Sequence, residues 1–498
     1  MTPLAFFRKV RGLSTLGILW AGTLVAADPP PAADARGGSR RSHATVLATE
    51  VPRMPLRVWL CRPGARETSV SLFAQEGVQA RVAWGVSGRP RLRHSEWMRL
   101  EPGETRLVSL TGLQPDRSHG YSVAFRRQAD GILEILEGTF HTQRSRRSAF
   151  TVDLQADSHL DTGTDVSLYQ RTLDNIRADA PDFLIDLGDT TMVDKFGGFY
   201  TRAESQYIAQ RHFLGTVARE VPVLMVLGNH DGEKAERLNG HPDSMPLWSL
   251  RMRRRYFPNP EPGGIYSGNR IPQGDAGLLQ DYFAWEWGDA LFVVLDPFWF
   301  TASGRRGDPW AMTLGHDQFR WLESSLAGSR ASIKLVFIHH LVGGRDREVR
   351  GGAAIAPLME WGGRNADGSN GFRDHRPGWA MPIHDLLKAH GVRAVFHGHD
   401  HLFATEVLDG IVYQAVPQPG HPRANARSAG EYGYSGEIRE GSGHLRLRFG
   451  PGKAEVEFVR SVLAGSDGRG ITNGQVVHRY RLEAPPARPS RNTRNPAP

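Results

Sequence analysis

The chain carries a single cysteine, Cys61, so no disulfide can form within it and the fold must be held by its core and by any bound metal. No repeat period is apparent. Long apolar runs are also missing: the run from Leu13 to Val25 is too short for an ordinary membrane span. Nor is there a dominant charge, because a formal net charge of +8 is modest for 498 residues. Arginine clusters such as Arg144, Arg146 and Arg147, or Arg251 to Arg255, lack interleaved aromatic residues and read as solvated surface. No stable nucleic-acid partner is expected, which leaves envelope-surface association as the open macromolecular contact.

With 40% hydrophobic and 23% charged residues, the composition is that of a soluble globular protein, and the length allows two or three folded units. Arg8, Lys9 and Arg11 precede the Leu13 to Val25 run, and Ala26 and Ala27 follow it. That order reads as a secretory signal peptide over residues 1–27, cleaved after Ala27, with an uncleaved anchor as the alternative. The expected location is secreted, or periplasmic and cell-envelope. Residues 28–50 and 484–498 are rich in Pro, Ala, Arg and Ser or Asn, and read as a flexible linker and tail.

Residues 51–143 show short alternating stretches separated by turn residues: Ser69 to Phe73, Arg81 to Trp84, Thr105 to Leu110, Tyr121 to Phe125 and Gly138 to Thr142. This pattern predicts a small all-β sandwich. Residues 148–483 change to continuously apolar runs, Phe183 to Leu187, Val223 to Leu227, Leu291 to Leu295, Leu335 to Ile338 and Val392 to Phe396, alternating with helical stretches at Ser167 to Arg177 and Asp317 to Leu326. Such runs suit strands buried on both faces of a layered α/β domain. Three closing stretches, Leu445 to Phe449, Ala454 to Val459 and Val476 to Leu482, predict strands that complete or cover a sheet.

Metal-competent residues stand directly after nearly every buried run: Asp157-Ser158-His159, Gly188-Asp189, Gly228-Asn229-His230-Asp231, His339-His340 and Gly398-His399-Asp400-His401. Singly, each is as consistent with a turn or a core histidine as with a ligand. As an ordered set they place chemistry along the edge where layered α/β sheets assemble their sites.

That ordered set resembles the calcineurin-like metallophosphoesterase superfamily, over roughly residues 148–420. The stretch Gly112-Leu113-Gln114-Pro115 followed by Tyr121 resembles fibronectin type III-like domains and the N-terminal domain of purple acid phosphatases. The resemblance implies an αββα metallophosphoesterase sandwich behind the small β-sandwich. It also implies a phosphoric ester hydrolase that attacks a phosphate mono- or diester with hydroxide activated by a dinuclear metal centre. Asp157, His159 and His401 would hold one metal, Asn229, His339 and His399 the second, and Asp189 would bridge them. His339 is preferred to His340 because it follows the strand directly. His230 would contact the phosphate and protonate the leaving oxygen. Asp231 would either orient that imidazole or cap a following helix. Imidazole with carboxylate favours two borderline transition-metal ions, Fe, Mn, Zn or Co.

Two departures matter. Met192 stands where purple acid phosphatases carry their tyrosinate ligand, and His159 stands where those enzymes lack a histidine. Leu341 to Pro382, which includes Arg345, Arg347, Arg350, Glu360, Trp361, Arg364, Arg373, His375, Arg376 and Trp379, is either a loop at the site mouth or a structural excursion. Other histidines, among them His43, His94, His119, His212, His241, His316, His384 and His390, match no motif and read as surface or packing residues. The competing functional readings are a non-catalytic surface-binding protein on the same scaffold and a nuclease recruited by basic patches.

Overall fold

The computed structural model describes residues 50–89, 92–301, 308–344, 350–465 and 470–484. The expected signal segment, the linker up to residue 49 and the tail from residue 485 lie outside them, as do His43, Arg345 and Arg347. No helix of the described residues is long and apolar enough to cross a membrane.

Eight strands come first: β1 Leu56–Cys61, β2 Glu67–Ala74, β3 Val78–Val86, β4 Arg93–His94, β5 Met98–Leu100, β6 Thr105–Thr111, β7 Ser118–Arg127 and β8 Leu133–His141. They pair as one sheet ordered β1-β2-β6 and another ordered β4-β3-β7-β8, with β5 on β3. Alternation sets the faces: Val78, Ala80, Val82 and Trp84 of β3 point into the core between the sheets, whereas Gln79 and Arg81 face outward. The back of β1 and β2 is apolar too. Trp59, Cys61 and Phe73 join Tyr207, Tyr256 and Phe257 in a shared core with the layer that follows, and the buried Arg211 guanidinium reaches across to Ser71 O at 2.8 Å.

The remaining strands are β9 Phe150–Gln155, β10 Phe183–Asp186, β11 Val223–Met225, β12 Tyr266–Gly268, β13 Phe283–Trp287, β14 Ala290–Val294, β15 Ile333–Phe337, β16 Val392–His397, β17 Phe403–Leu408, β18 Ile411–Ala415, β19 Glu437–Arg439, β20 Gly443–Gly450, β21 Lys453–Arg460 and β22 Val476–Glu483. They build a six-stranded sheet ordered β11-β10-β9-β20-β21-β22 and an eight-stranded sheet ordered β12-β13-β14-β15-β16-β18-β17-β19. The closing stretches therefore complete the first sheet, with β20 antiparallel to β9.

The continuous apolar runs are explained by burial on both faces. In β15, Leu335 and Phe337 enter the core between the sheets while Val336 and Ile338 enter the core under the outer helices. Helix Val166–Asp179 covers the six-stranded sheet and helix His316–Gly328 the eight-stranded one, giving the αββα layering expected. Asp165 starts the first helix by accepting from the N–H groups of Ser167 and Leu168.

Candidate metal centre

Asp157 and His159 leave the end of β9, Asp189 that of β10, Asn229 and His230 that of β11, His339 that of β15, and His399 and His401 that of β16. β9, β10 and β11 are parallel within one sheet, β15 and β16 within the other, so their carboxyl ends deliver these residues to one edge of the layered core.

There the candidate ligand atoms of Asp157, His159 and His401 lie within 4.8 Å of one another, as do those of Asp189, His339 and His399. Asp189 connects the two trios: its Oδ2 is 3.2 Å from His339 Nε2, 3.8 Å from His159 Nε2 and 3.9 Å from His230 Nε2. Asn229 Oδ1 is 3.0 Å from His339 Nε2. His340 belongs to neither trio: its Nδ1 lies 3.1 Å from Leu341 O and its ring lies beside that of His399, 4.9 Å between centres.

Glycine and backbone strain make this convergence possible. A Cβ on Gly228 would collide with the backbone N of Asp189, and one on Gly398 would sit 2.7 Å from Asp157 Oδ2. Five of the thirteen non-glycine residues with positive φ among the described residues are Asp157, His159, Asp189, His399 and His401. Left-handed backbone costs a side-chain-bearing residue on the order of 1–3 kcal/mol, and such strain concentrates where function holds it in place.

The donor set fits a metal. Asp157 Oδ1 and His159 Nε2 are buried and have no hydrogen-bond partner among the described residues, although both point into the first trio. His339 Nδ1 lies 2.8 Å from Leu187 O, an arrangement that commits Nδ1 as donor and leaves the Nε2 lone pair for an ion. Electrostatics agree. Burial opposes charge on Asp189, but His339, His159 and His230 hold its carboxyl well below the usual carboxylate range. Burial likewise opposes the His159 imidazolium, yet Asp157, Asp161 and Asp189 push its pKa well above the ordinary value. Without an ion, protons stand in for cationic charge among these carboxylates.

The family model described as calcineurin-like phosphoesterase matches residues 150–403, which contain every motif of this edge. The chain belongs to the calcineurin-like phosphoesterase family. Its fold is similar to the solved structure of PhoD, at 12% identity and TM-score 0.61 over 86% of this chain and 90% of that one. It is also similar to the purple acid phosphatase PPD1 from yellow lupin (Lupinus luteus) seeds, at 14% identity and TM-score 0.55 over 86% and 74% of the two chains. No curated protein matches this chain in sequence.

In this phosphoesterase Asp231 has a different place from the one expected. Its Oδ2 accepts from the N–H groups of Gly228 at 2.7 Å and Asp189 at 3.0 Å, and its Oδ1 from the N–H and hydroxyl of Thr191, both at 2.8 Å. The tight Gly228–Asp231 turn folds this side chain back between two strand ends, so it braces the Asp189 loop and neither orients His230 nor caps a helix. The partner of His230 is Asp194, whose Oδ1 lies 2.8 Å from His230 Nδ1.

Sequence reasoning did not single out Asp194, Asp161 or the role of Arg350. Asp161 Oδ2 is 3.4 Å from His159 Nδ1; burial raises its carboxyl pKa, but His159 outweighs that and brings it down to about 2. Arg350 donates from Nε to Asp400 Oδ1 at 2.6 Å and from Nη2 to His399 O at 3.0 Å, which pins the Gly398–His401 loop. From residue 351 to 382 the segment divides between surface and core: Trp361, Phe372 and Trp379 pack into the core under the outer helices, and buried Glu360 pairs with Arg376. That part is a structural excursion. Elsewhere, His444 Nε2 lies 2.9 Å from Asp179 Oδ2, and Arg446 also pairs with Asp179, pinning a helix end to the sheet.

Proposed function

We propose that this phosphoesterase hydrolyses a phosphate mono- or diester at a dinuclear centre. Asp157, His159 and His401 hold one ion, Asn229, His339 and His399 the other, and Asp189 bridges them. The observation that supports this reading is the position of Asp189 Oδ2, 3.2 Å from His339 of its own trio and 3.8 Å from His159 of the other, from which one carboxylate could reach both ions. Two transition-metal ions held there, Fe, Mn, Zn or Co, would lower the pKa of water and stabilise charge on the attacking and leaving oxygens. Asp161 and the Leu187 carbonyl orient His159 and His339. His230, fixed by Asp194, presents Nε2 to the departing oxygen and gives it a proton.

The N-terminal basic, apolar and small-residue pattern supports export, with action outside the cytoplasm, and the two leading β-sheets support a fibronectin type III-like accessory domain. The test is a panel of phosphate mono- and diesters run on metal-reconstituted protein. Turnover that depends on the metal and is abolished by Asp189→Ala is expected; a fully metal-loaded protein inert on every ester would overturn the reading.

A further inference from the structure

Lys234 follows the His230 loop and is half-buried. Its neighbour Glu233 is locked in place by the buried Arg253, with Nε to Oε1 at 2.6 Å, so the lysine rises from a fixed base. The ammonium lies 5.4 Å from the centre of the Phe298 ring. Among the described residues no carboxylate comes within ion-pair distance of it, and Glu236 stands exposed on the rim nearby.

This cation lines a cleft of about 230 Å³ together with Phe298, Met312, Asn229 and His399. Asn229 and His399 belong to the second proposed ligand trio, so the cleft opens directly off the metal centre. It is too roomy for a phosphate oxygen alone, and Phe298 and Met312 give it an apolar wall suited to a carbon skeleton. The carboxylates that attract this ammonium, Asp189, Glu236 and Asp194, do so without pairing with it, so a partly desolvated cation is left with donors that an anionic group in the cleft would satisfy.

We infer that Lys234 is a specificity residue which selects phosphate esters whose alcohol portion carries a second anionic group, a carboxylate or a phosphonate or phosphate. The assignment rests on the hydrolytic reading above: the reacting phosphate occupies the metal centre and His230, the ester substituent enters the cleft, and its anionic end meets the ammonium. A charge-assisted hydrogen bond there discriminates against neutral substituents.

Three aryl esters test this on metal-loaded protein: phenyl phosphate, 3-(carboxymethyl)phenyl phosphate and 3-(phosphonomethyl)phenyl phosphate. The methylene spacer keeps the leaving groups similar. The wild type should favour at least one of the two anionic esters in kcat/KM by about 10-fold or more, the scale of one charge-assisted hydrogen bond, with the difference residing in KM. The favoured ester tells carboxylate from phosphonate. Lys234→Met should lose the preference while keeping its metal and its rate on phenyl phosphate, and Lys234→Arg should retain much of it. Equal treatment of all three esters by the wild type, or an equal loss on all three in Lys234→Met, would overturn the assignment. Equilibrium binding of the corresponding non-hydrolysable arylphosphonates separates it from the hydrolytic reading. A Lys234-dependent binding preference without turnover of any ester would sink hydrolysis and keep Lys234. Turnover without any such preference would do the reverse.

Discussion

The Nδ1 of His230 sits 2.8 Å from the Oδ1 of Asp194, while the neighbouring Asp231 spends its carboxylate on backbone and hydroxyl donors of the Gly228, Asp189 and Thr191 turns. A carboxylate on Nδ1 fixes the ring and its tautomer and turns Nε2 toward the space beside Asp189. His230→Ala should therefore keep its metal and lose turnover by about 10²–10⁴-fold, as expected for a lost general acid. Poor alkoxide leaving groups should suffer more than activated aryl oxides. Asp194→Asn should show the same leaving-group signature with a smaller loss, about 10-fold, and the double mutant should fall short of the product of the two. An equal slowing on both kinds of ester would rule out the acid role.

In the proposed centre Asp189 would bridge the two ions, so its removal should do more harm than removal of any other ligand. Elemental analysis should find about two transition-metal ions per chain in active protein, as a dinuclear displacement site requires. Asp189→Ala should lose both. Strong chelator should abolish turnover and lower the melting temperature, because ions that bind only the folded state stabilise it by mass action. Activity persisting in protein free of transition metal would contradict the assignment.

Met192 is buried and its backbone N–H donates to Gln206 Oε1 at 2.6 Å. A thioether cannot supply the phenolate-to-iron charge transfer that a tyrosinate ligand would. Iron-loaded protein should therefore show no intense purple absorption, and such a band in the pure protein would disprove the reading of this position.

The centre was legible in sequence because each motif directly follows a strand, and most of those strands announce themselves as continuous apolar runs buried on both faces. β9 is the exception among the ligand-bearing strands. Asp153 and Gln155 are fully buried on one of its faces, so no apolar run marks it, and only the Asp157-Ser158-His159 motif pointed there. The pairing of β12 with β13 carries no turn signal, because residues 269–282 separate the two strands, whereas β17 and β18 meet at Asp409-Gly410, a strong two-residue hairpin signal that sequence reasoning passed over. His230's partner was out of reach: Asp194 is 36 residues away in sequence, whereas Asp231 is adjacent. Adjacency misleads in a tight turn, where successive side chains point in different directions.

His339 gives the metal site a definite pH dependence. Burial alone would push its imidazolium pKa down, but Asp189, 3.2 Å away, and then Asp157 and the Leu187 carbonyl outweigh burial and bring it up to about 9 from 6.5. In metal-free protein at neutral pH this ring therefore holds a proton that an ion must displace. Metal affinity should rise as pH rises toward about 9, by about tenfold per pH unit for each proton displaced, and level off above it. Stability of the metal-free form has the opposite slope. The folded pKa lies above the unfolded one, so the His339 contribution is fully present below about 6.5 and is lost as pH rises through about 9. Metal-loaded protein, in which the ion takes the proton's place, should show no such loss over that window. Competition with a metal indicator between pH 6.5 and 9.5, with melting curves of both forms across the same range, reads both slopes. A metal affinity independent of pH there would show that His339 is already neutral in the metal-free protein and that the Asp189 contact does not hold its proton.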